Sequence, residues 1–341
     1  MKKREKIWIA TGGTGGHIFP ALAVADALAA KGADIIISTD GRGKKYITKY
    51  KRVMIWASGV GAKNLFFQIW SLFKIEVSGL ALAIRFIFSR PDKIVAFGGY
   101  SSVPVLAAGW LWRIPTFLHE QNAAIGRANK FALPFVKTLM TSFPIGRGTY
   151  TGLPVRKDFK PRAGNRMATG EHRILVTGGS LGAAILDEVV PKAVAELKEK
   201  KHLFVVHQTR PENVEKLRKE YAKIGVKNNV LSFIKDMAGE LAAASIVIGR
   251  SGASTVVEMQ TVGVPAILVP LGINPDQLAN ANAFAKKGGG IVIQQKDFSP
   301  ETLAKTLSGL LGSPEKLARM AAVAHVPNNA VGNIVKLVYN S

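Results

Sequence analysis

The chain has no cysteine among its 341 residues, so disulfide bonds and thiolate metal sites are excluded. Acidic residues are scarce as well: 23 aspartates and glutamates stand against 46 lysines and arginines, which gives a formal net charge of +23. Such an excess predicts an anionic partner, whether nucleic acid, an acidic membrane surface or a phosphorylated substrate. Because no nucleic-acid-binding motif accompanies the charge, and aromatic residues are not interleaved with the basic clusters, nucleic acid is not the expected partner.

Long uninterrupted apolar segments are also missing. The charge-free stretch 94–112 approaches the length of about 20 residues that a membrane span needs, but glycine, serine and proline interrupt it. A strand, a loop and a helix are predicted there instead. The basic N-terminus lacks the apolar run of a secretory signal, so no such signal is expected. A composition of 48% hydrophobic and 20% charged residues is typical of a compact fold.

Two glycine-rich turns are the most informative features that are present. Their sequences are TGGTGGH at 11–17 and TGGSLGA at 177–183, and each follows a short apolar strand and leads into a helical pattern. Glycine lets the backbone approach a ligand closely, and the N–H groups at a helix start favour a phosphate. Neither turn has the ending of a P-loop or the spacing of a dinucleotide fingerprint. Their equivalent places in two half-chains predict two nucleotide-binding folds, each with an anion site.

Apolar runs of strand length alternate with helical periods along the chain, which predicts an α/β protein with two Rossmann-like domains on parallel sheets. The clearest strands are expected at 7–10, 34–38, 94–97, 115–118, 174–177, 203–207, 245–249 and 265–269. The domains are predicted at 1–155 and 156–327, with a final helix within 328–341 that packs back on the first domain. Since α/β sheets bind ligands at the carboxyl ends of their strands, we expect the two sheets to face each other across a cleft.

Polar residues that follow predicted strands in the first half are candidates for chemistry. His17 closes the first turn, where it could cap or pack, or accept a proton from an attacking hydroxyl as a neutral base. The four residues from His119 to Asn122 follow a buried strand, which favours a sugar or diphosphate site over a purely structural loop. They do not form the metal-binding motif His-Glu-x-x-His, because no second histidine follows at helical spacing. The small-residue turn at 97–104 offers amides and hydroxyls to the same edge, although by itself it is typical of an ordinary loop.

The second half has a comparable set of polar residues. Arg250 follows a predicted buried strand, and the helix after it can hold a phosphate at its start and carries Glu258, whose carboxylate can accept ribose hydroxyls. Further on, Gln277 and Asn280 are three residues apart and therefore share a helix face. Their amides suit recognition of sugar hydroxyls, although either residue could be a helix cap.

Together these segments resemble the MurG family. The matching motifs, in order, are GGTGGHIFPALAVA, FGGYSSVP, HEQN, TGLPVR, GGSLGA, RSGASTVVE and DQLANA, and they cover nearly the whole chain. The resemblance implies a GT-B fold and inverting transfer of GlcNAc from UDP-GlcNAc to the C4 hydroxyl of undecaprenyl-diphospho-MurNAc-pentapeptide (lipid I), which gives lipid II for peptidoglycan. It implies no cofactor and no metal, and a peripheral location on the cytoplasmic side of the inner membrane. It leaves room for cell-wall synthesis proteins as further partners.

The resemblance also implies roles for individual residues. His17 and Glu120 are the implied catalytic residues, and the choice of general base between them stays open. The implied donor contacts are Ser180 with the diphosphate, Glu258 with the ribose, Gln277 with GlcNAc, and Ile234 with uracil through its backbone. Asn280 is implied to lie near the GlcNAc contact, and Arg156 and Arg250 near the donor phosphates. The implied acceptor contacts are Thr14, Gly15 and Gly16 with the lipid diphosphate, and Tyr100 and Asn122 at the reaction centre.

Three residues depart from the family's pattern. Leu153 stands where asparagine is expected before Pro-Val-Arg, and Ala184 and Asp187 stand where arginine and asparagine are common after GGSLGA. These departures bear on the local contacts of the donor rather than on the family resemblance.

An unusually apolar segment, 65–88, is the predicted membrane contact. As a single helix it would bury an inner stripe of Phe66, Ile69, Phe73, Val77, Leu80 and Ile84. Ile75, Leu82 and Phe86 would then lie on the outer side and meet an anionic membrane surface. Basic residues between Lys44 and Lys63 supply positive charge nearby, worth about 1 kcal/mol each beside an anionic leaflet. The alternative is a helix that is buried on both sides or broken near Glu76.

Three rival functions fit parts of this pattern. A related lipid glycosyltransferase, such as a galactolipid synthase, would use a different acceptor. A nucleotide-sugar epimerase on the same fold would convert UDP-GlcNAc without an acceptor. A non-catalytic basic binding protein would not depend on His17 or Glu120.

Overall fold

The computed structural model describes residues 4–13, 15–57, 65–162, 171–179 and 182–340. The chain divides into two units. The first contains the residues up to Arg156 together with those from Asn328 onward, and the second is Lys157–Pro327.

The first unit contains one parallel sheet flanked by helices. Its strands are β1 (Lys6–Ala10), β2 (Asp34–Thr39), β3 (Lys51–Met54), β4 (Lys93–Ala96), β5 (Thr116–Glu120), β6 (Thr138–Thr141) and β7 (Thr149–Tyr150). Its helices before the boundary are α1 (Gly15–Ala30), α2 (Leu65–Phe88), α3 (Val103–Leu111) and α4 (Arg127–Ala132). The strand order is β3-β2-β1-β4-β5-β6-β7. The order reverses beside β1, which is where Rossmann-like sheets bind their ligands.

The second unit repeats this plan. Its strands are β8 (His172–Thr177), β9 (Leu203–Gln208), β10 (Lys227–Leu231), β11 (Ile246–Gly249), β12 (Ala266–Leu268) and β13 (Gly290–Val292), in the order β10-β9-β8-β11-β12-β13. Its helices are α5 (Ala184–Glu196), α6 (Val214–Ile224), α7 (Met237–Ala243), α8 (Ala253–Val262), α9 (Pro275–Lys286), α10 (Pro300–Leu311) and α11 (Pro314–Ala324). Every pairing in both sheets is parallel.

The final helix, α12 (Ala330–Tyr339), belongs to the core of the first unit. Ile334 and Val338 pack in one cluster with Ile7 of β1 and Leu28 of α1. The buried Lys93 side chain donates to the Val338 carbonyl oxygen at 2.7 Å. The chain therefore returns to the first unit after it has completed the second.

All eight strands expected from the sequence are present, with ends that agree within two residues. The strands that the pattern did not indicate are β3, β6, β7, β10 and β13. Four of these, β3, β7, β10 and β13, are sheet edges. Edge strands are short or polar because one side of their backbone faces no partner strand, so their apolar signal is weak.

The predicted orientation of α2 is wrong. Leu82 and Phe86, expected on the outer side, are only 3% and 1% exposed, and the Phe86 ring packs edge-on against Trp8 with its centroid 5.2 Å away. Leu80 and Ile84, expected inside, are 66% and 50% exposed. Both faces of this helix are apolar, so hydrophobic periodicity carried no information on which one packs against the sheet.

Most of the other residues named in that prediction are also on the side opposite to the one expected. Ile69, Phe73 and Val77 are exposed, and Ile75 is partly buried against the core. Phe66 lies outside the described side chains. None of the helices in the described part of the chain combines the length and the apolarity that a bilayer crossing needs.

Candidate active site

The turns that follow β1 and β4 are in direct contact at the carboxyl edge of the first sheet. A β-carbon on Gly12 would overlap the Ser101 hydroxyl, and one on Gly99 would lie 3.6 Å from the Gly12 carbonyl oxygen. Gly13 and Gly99 have φ values of +81° and +78°, a region that residues with a side chain rarely adopt. Close packing therefore favours glycine at Gly12, and backbone conformation favours it at Gly13 and Gly99.

His17 lies in the first turn of α1, beside the end of β4. Its Nδ1 atom is 2.8 Å from the Phe97 carbonyl oxygen and 3.0 Å from Gln121 Oε1. Both neighbours are oxygens that can only accept a hydrogen bond, so Nδ1 carries the proton of the neutral ring. The lone pair of the imidazole is then on Nε2, where it can accept a proton.

Gln121 connects His17 to a second, fully buried histidine. Its Nε2 atom donates to the Phe97 carbonyl oxygen at 2.9 Å and lies 3.4 Å from His119 Nδ1. His119 Nε2 in turn donates to the Gly152 carbonyl oxygen at 2.8 Å. Burial lowers the pKa of His119 from 6.5 to about 4. The ring therefore stays neutral near neutral pH, which fixes the direction of every hydrogen bond in this network.

The lowered pKa of His119 makes the stability of the first unit depend on pH. In the range from 6.5 down to about 4, the unfolded chain binds a proton at this residue and the folded chain does not. Acidification across that range should therefore lower the free energy of unfolding by about 3 kcal/mol through this group. His119→Gln keeps a donor for the Gly152 carbonyl oxygen but has no group that takes up a proton in this range. On acidification, the free energy of unfolding of this variant should therefore fall by about 3 kcal/mol less than that of wild type. Urea unfolding at several pH values measures the difference.

Parallel pH dependence for wild type and His119→Gln would contradict the predicted role of His119.

Glu120 is the last residue of β5 and is 1% exposed. Its Oε1 atom accepts the backbone N–H and the side-chain amide of Asn122 at 2.9 and 3.2 Å. Its Oε2 atom accepts the Gly126 N–H at 2.9 Å and the Asn129 amide at 2.7 Å. Four donors occupy the lone pairs of this carboxylate, so Glu120 holds the loop 121–129 in place.

The other residues predicted to contact the acceptor are on or beside the same turns. Gly15 and Gly16 begin α1, Tyr100 is half-buried in the turn after β4, and Asn122 is half-buried beside Glu120. Thr14 lies outside the described residues. The first unit thus brings His17, Tyr100 and Asn122 to one sheet edge through three separate turns.

Asp40, at the end of β2, is a site residue that the sequence did not indicate. Its carboxylate accepts the Gly13 N–H and the Gly43 N–H, each at 3.0 Å, and the Arg42 guanidinium at 2.9 Å. Burial raises the pKa of Asp40, but these backbone and guanidinium bonds outweigh it and hold the pKa below its usual value. One amide of the first glycine turn is therefore bound to Asp40. Its partner is 27 positions away in sequence, which is why no local pattern reveals it.

The second glycine turn is held against the end of β9. Thr177 Oγ1 donates to Gln208 Oε1 at 2.8 Å and accepts the Gly179 N–H at 3.2 Å. Gly179 and Gly182 have φ values of +74° and +67°. Ser180, which the sequence places in this turn, lies outside the described residues.

Ser251 connects the end of β11 to α9. Its hydroxyl donates to the Gln277 carbonyl oxygen at 2.8 Å, and the Asn280 amide donates to the Ser251 carbonyl oxygen at 3.1 Å. Gln277 Oε1 accepts the Leu271 N–H at 3.0 Å. Asn280 is fully buried, so its amide supports this turn from beneath and reaches a ligand only through its neighbours.

Arg250, Glu258 and Ile234 also belong to the second unit. Arg250 donates to the Val269 carbonyl oxygen at 2.9 Å, and burial lowers its pKa, although a guanidinium keeps its charge in proteins. Glu258 is half-buried on α8, and Ile234 is buried in the loop after β10. Arg156 is exposed and is the last residue of the first unit before the boundary.

Two of the three departures from the family's pattern have structural partners. Asp187 accepts the Thr209 hydroxyl at 2.7 Å and the Asn213 amide at 2.9 Å, and it lies 3.2 Å from His207 Nε2. This acid thereby ties the first turn of α5 to the segment after β9. Leu153 is fully buried, and its carbonyl oxygen accepts the Asn328 amide at 2.9 Å. Nothing in the structure explains Ala184, which begins α5.

Within the described ranges, no three histidine, aspartate or glutamate side chains are grouped closely enough to hold a metal ion.

Comparison with known proteins matches both units. The glycosyltransferase family 28 N-terminal domain matches residues 7–141, and the family's C-terminal domain matches residues 173–336. With two parallel sheets and a glycine turn after the first strand of each, the chain has the architecture of a glycosyltransferase of the GT-B type.

The most informative relatives are transferases of one sugar, N-acetylglucosamine. The chain is 39% identical over 337 residues to the UDP-N-acetylglucosamine–N-acetylmuramyl-(pentapeptide) pyrophosphoryl-undecaprenol N-acetylglucosamine transferase of Agrobacterium fabrum, covering 93% of this chain and 89% of the relative. It is 41% identical over 340 residues to the protein of that name from Rhizobium meliloti, covering 93% and 90%. The chain belongs to this MurG family of N-acetylglucosamine transferases.

Solved structures agree with this assignment. The crystal structure of Acinetobacter baumannii MurG has a TM-score of 0.85 and 30% sequence identity, over 99% of this chain and all of that one. The glycosyltransferase of kitacinnamycin has a TM-score of 0.75 at 16% identity, over 99% of both chains, and shows a shared fold only. The family and the fold that the sequence motifs indicated are confirmed.

Proposed function

We propose that this chain transfers GlcNAc from UDP-GlcNAc to the C4 hydroxyl of lipid I, with His17 as the general base. The names of its relatives describe this transfer. The observation that supports the base is the pair of acceptor oxygens, Phe97 O and Gln121 Oε1, at His17 Nδ1, because they leave the lone pair on Nε2. Glu120 is the weaker candidate, since four donors already surround its carboxylate.

The proposed reaction is a single displacement. His17 Nε2 takes the proton of the C4 hydroxyl as the C4 oxygen attacks the anomeric carbon of GlcNAc from the face opposite UDP. The bond from that carbon to the diphosphate oxygen breaks, and UDP leaves with the bonding electrons. The new bond forms on the opposite face, so the configuration inverts to β.

Charge builds up on the leaving diphosphate, and groups of the second unit, together with Arg156 at the end of the first unit, can stabilise it. We assign this role to the amides of the second glycine turn with Ser180, and to the cations Arg250 and Arg156. Preorganised donors of this kind are worth about 3 kcal/mol each in the transition state. Glu258 would accept the ribose hydroxyls, the Ile234 backbone would meet uracil, and Gln277 would contact GlcNAc with Asn280 supporting its turn.

The first unit has the groups for the acceptor. The amides of Gly15 and Gly16 at the start of α1, together with Thr14, would bind the lipid diphosphate, because a helix N-terminus favours anions. Tyr100 and Asn122 would then line the sugar beside His17.

A transfer assay tests the proposal. Purified protein with UDP-GlcNAc and lipid I should yield lipid II, whereas UDP-galactose or a diacylglycerol acceptor should give no product. Conversion of UDP-GlcNAc without any acceptor would indicate an epimerase instead. Absence of product in every combination would reject the proposed activity.

We further propose that the protein attaches peripherally to an anionic membrane surface through the exposed stripe of α2. Large apolar side chains on this helix face solvent: Ile69, Trp70, Leu72, Phe73, Val77, Leu80, Ile84, Ile87 and Phe88. A large group of exposed apolar side chains on one helix marks an interaction site, although the exposed Glu76 lies among them. A lipid acceptor requires the enzyme to reach the bilayer, which favours a membrane as the partner of this stripe and the cytoplasmic side of the inner membrane as the location.

Leu80→Glu combined with Ile84→Glu should weaken binding to anionic liposomes by at least about tenfold, because each substitution removes an inserted side chain worth about 2 kcal/mol and adds a repelled charge. Liposome sedimentation measures the partition. Val323→Glu changes an exposed apolar residue of the second unit and should bind as wild type does. Undiminished binding of the double variant would rule out this stripe.

A further inference from the structure

A basic cavity lies in the connection between β2 and β3 of the first unit. It has a volume of about 520 Å³ and is lined by Gly41, Arg42, Lys44, Lys45, Thr48 and Arg52. Four of these six described residues are cations and none is an acid. A concave surface lined by one sign of charge concentrates ligands of the opposite sign.

The cavity adjoins the turn that carries the proposed base. The β-carbon position of Gly13 lies 3.5 Å from Arg42 Nη2 and 3.9 Å from His17 Cδ2. Arg42 and the Gly13 N–H both donate to the Asp40 carboxylate. Asp40 therefore links the cavity wall to the first glycine turn through hydrogen bonds. Arg42 Nη2 and the His17 ring both lie beside one position, each within 4 Å of it.

Parts of the cavity wall are held in place. Arg52 Nη1 donates to the carbonyl oxygens of Lys44 and Ile47 at 3.0 and 2.8 Å, which fixes the path of the backbone between them. The Lys45 ammonium lies 5.0 Å from the centre of the Tyr46 ring. The Tyr46 ring packs edge-on against Phe19 of α1 at 5.5 Å. The guanidinium groups of Arg42 and Arg52 are thus positioned before any ligand arrives, which reduces the entropy cost of binding.

We propose that this cavity binds the carboxylates of the peptide that the acceptor carries. This inference rests on the function proposed above. If the C4 hydroxyl of the muramyl sugar faces His17, then the lactyl group on the neighbouring C3 atom, which bears the peptide, leaves the sugar beside His17. The Gly15 and Gly16 amides account for the lipid diphosphate, and a cavity of about 520 Å³ is larger than a phosphate requires. Lysine ammonium groups suit flexible carboxylates because they act as point charges without a fixed geometry.

The experiment compares two acceptors on one pair of variants. Lys44→Gln combined with Lys45→Gln should raise KM for peptide-bearing lipid I about tenfold, a loss of about 1.4 kcal/mol for the two ion pairs together. KM for a muramyl diphospholipid without the peptide should not change, and neither should kcat nor KM for UDP-GlcNAc. Thermal unfolding checks that the variant is folded.

Lys31→Gln combined with Lys336→Gln is the matched control. It removes the same charge from the same unit, but Lys31 follows the far end of α1, about 24 Å along the helix from Gly15. This control should leave KM for both acceptors unchanged.

Three outcomes would overturn the proposal. An equal rise in KM for both acceptors would indicate a site for the diphosphate. Unchanged KM with weaker binding to anionic vesicles would indicate a site for lipid headgroups. Unchanged KM and unchanged vesicle binding would show that the cavity binds neither. Failure of the proposed function is distinguishable, since the wild-type protein would then transfer GlcNAc to neither acceptor.

Discussion

Replacing His17 by alanine should lower kcat for GlcNAc transfer by about 10²- to 10⁴-fold, which is the usual contribution of a general base. Its Nε2 atom is the proton acceptor in the proposed reaction, and alanine leaves no group in that position. KM for UDP-GlcNAc should change little, because His17 is not among the proposed contacts of the donor. Steady-state kinetics with saturating lipid I measures both constants.

Two controls separate this chemical role from a structural one. His202→Ala removes an exposed histidine of the second unit and should retain the wild-type kcat. Gln121→Ala leaves the imidazole of His17 but removes one of the two oxygens at its Nδ1, so kcat should fall by less than in His17→Ala. A His17→Ala enzyme that keeps full kcat would exclude His17 as the proton acceptor.

The sequence predicted eight of the parallel strands and both glycine turns because these features are local. A buried parallel strand reads as a short apolar run, and a glycine turn before a helix has few alternative explanations. His17, Gly15 and Gly16 were found in this way. Their position depends only on where β1 ends and where α1 begins.

The contacts that decide which residue performs the chemistry are not local. Gln121 Oε1 meets His17 across 104 positions of the chain, and this contact settles which ring nitrogen carries the proton. Asp40 meets Gly13 across 27 positions. A residue pattern indicates that polar groups gather at a sheet edge, but it does not show which of them bond to each other.

The orientation of α2 could not be predicted for a different reason. Its two faces are about equally apolar, so the burial of Leu82 and Phe86 depends on the shape of the surface that Trp8 and α3 present. The same feature bears on function. A helix that is apolar on all sides but packed on only one side exposes an apolar surface that a partner can cover.

Glu120→Gln should lower the free energy of unfolding of the first unit by about 3 kcal/mol, although the side chain keeps its shape. The carboxylate accepts four hydrogen bonds, two at each oxygen. A glutamine has one oxygen, so its NH₂ group must face two of the donors. Either Asn122 or the pair formed by Gly126 and Asn129 then loses its acceptor in a site that is 1% exposed.

Urea unfolding followed by a signal from the first unit measures this loss. Glu76→Gln neutralises an exposed acid of the same unit and should stay within about 0.5 kcal/mol of wild type. Transfer activity of Glu120→Gln should also fall, because Asn122 and Asn129 shift with the loop 121–129. If Glu120 were the base instead, glutamine would abolish transfer as well as lower stability. Loss of stability together with a partial loss of rate therefore assigns Glu120 to holding the loop, and leaves proton transfer to His17.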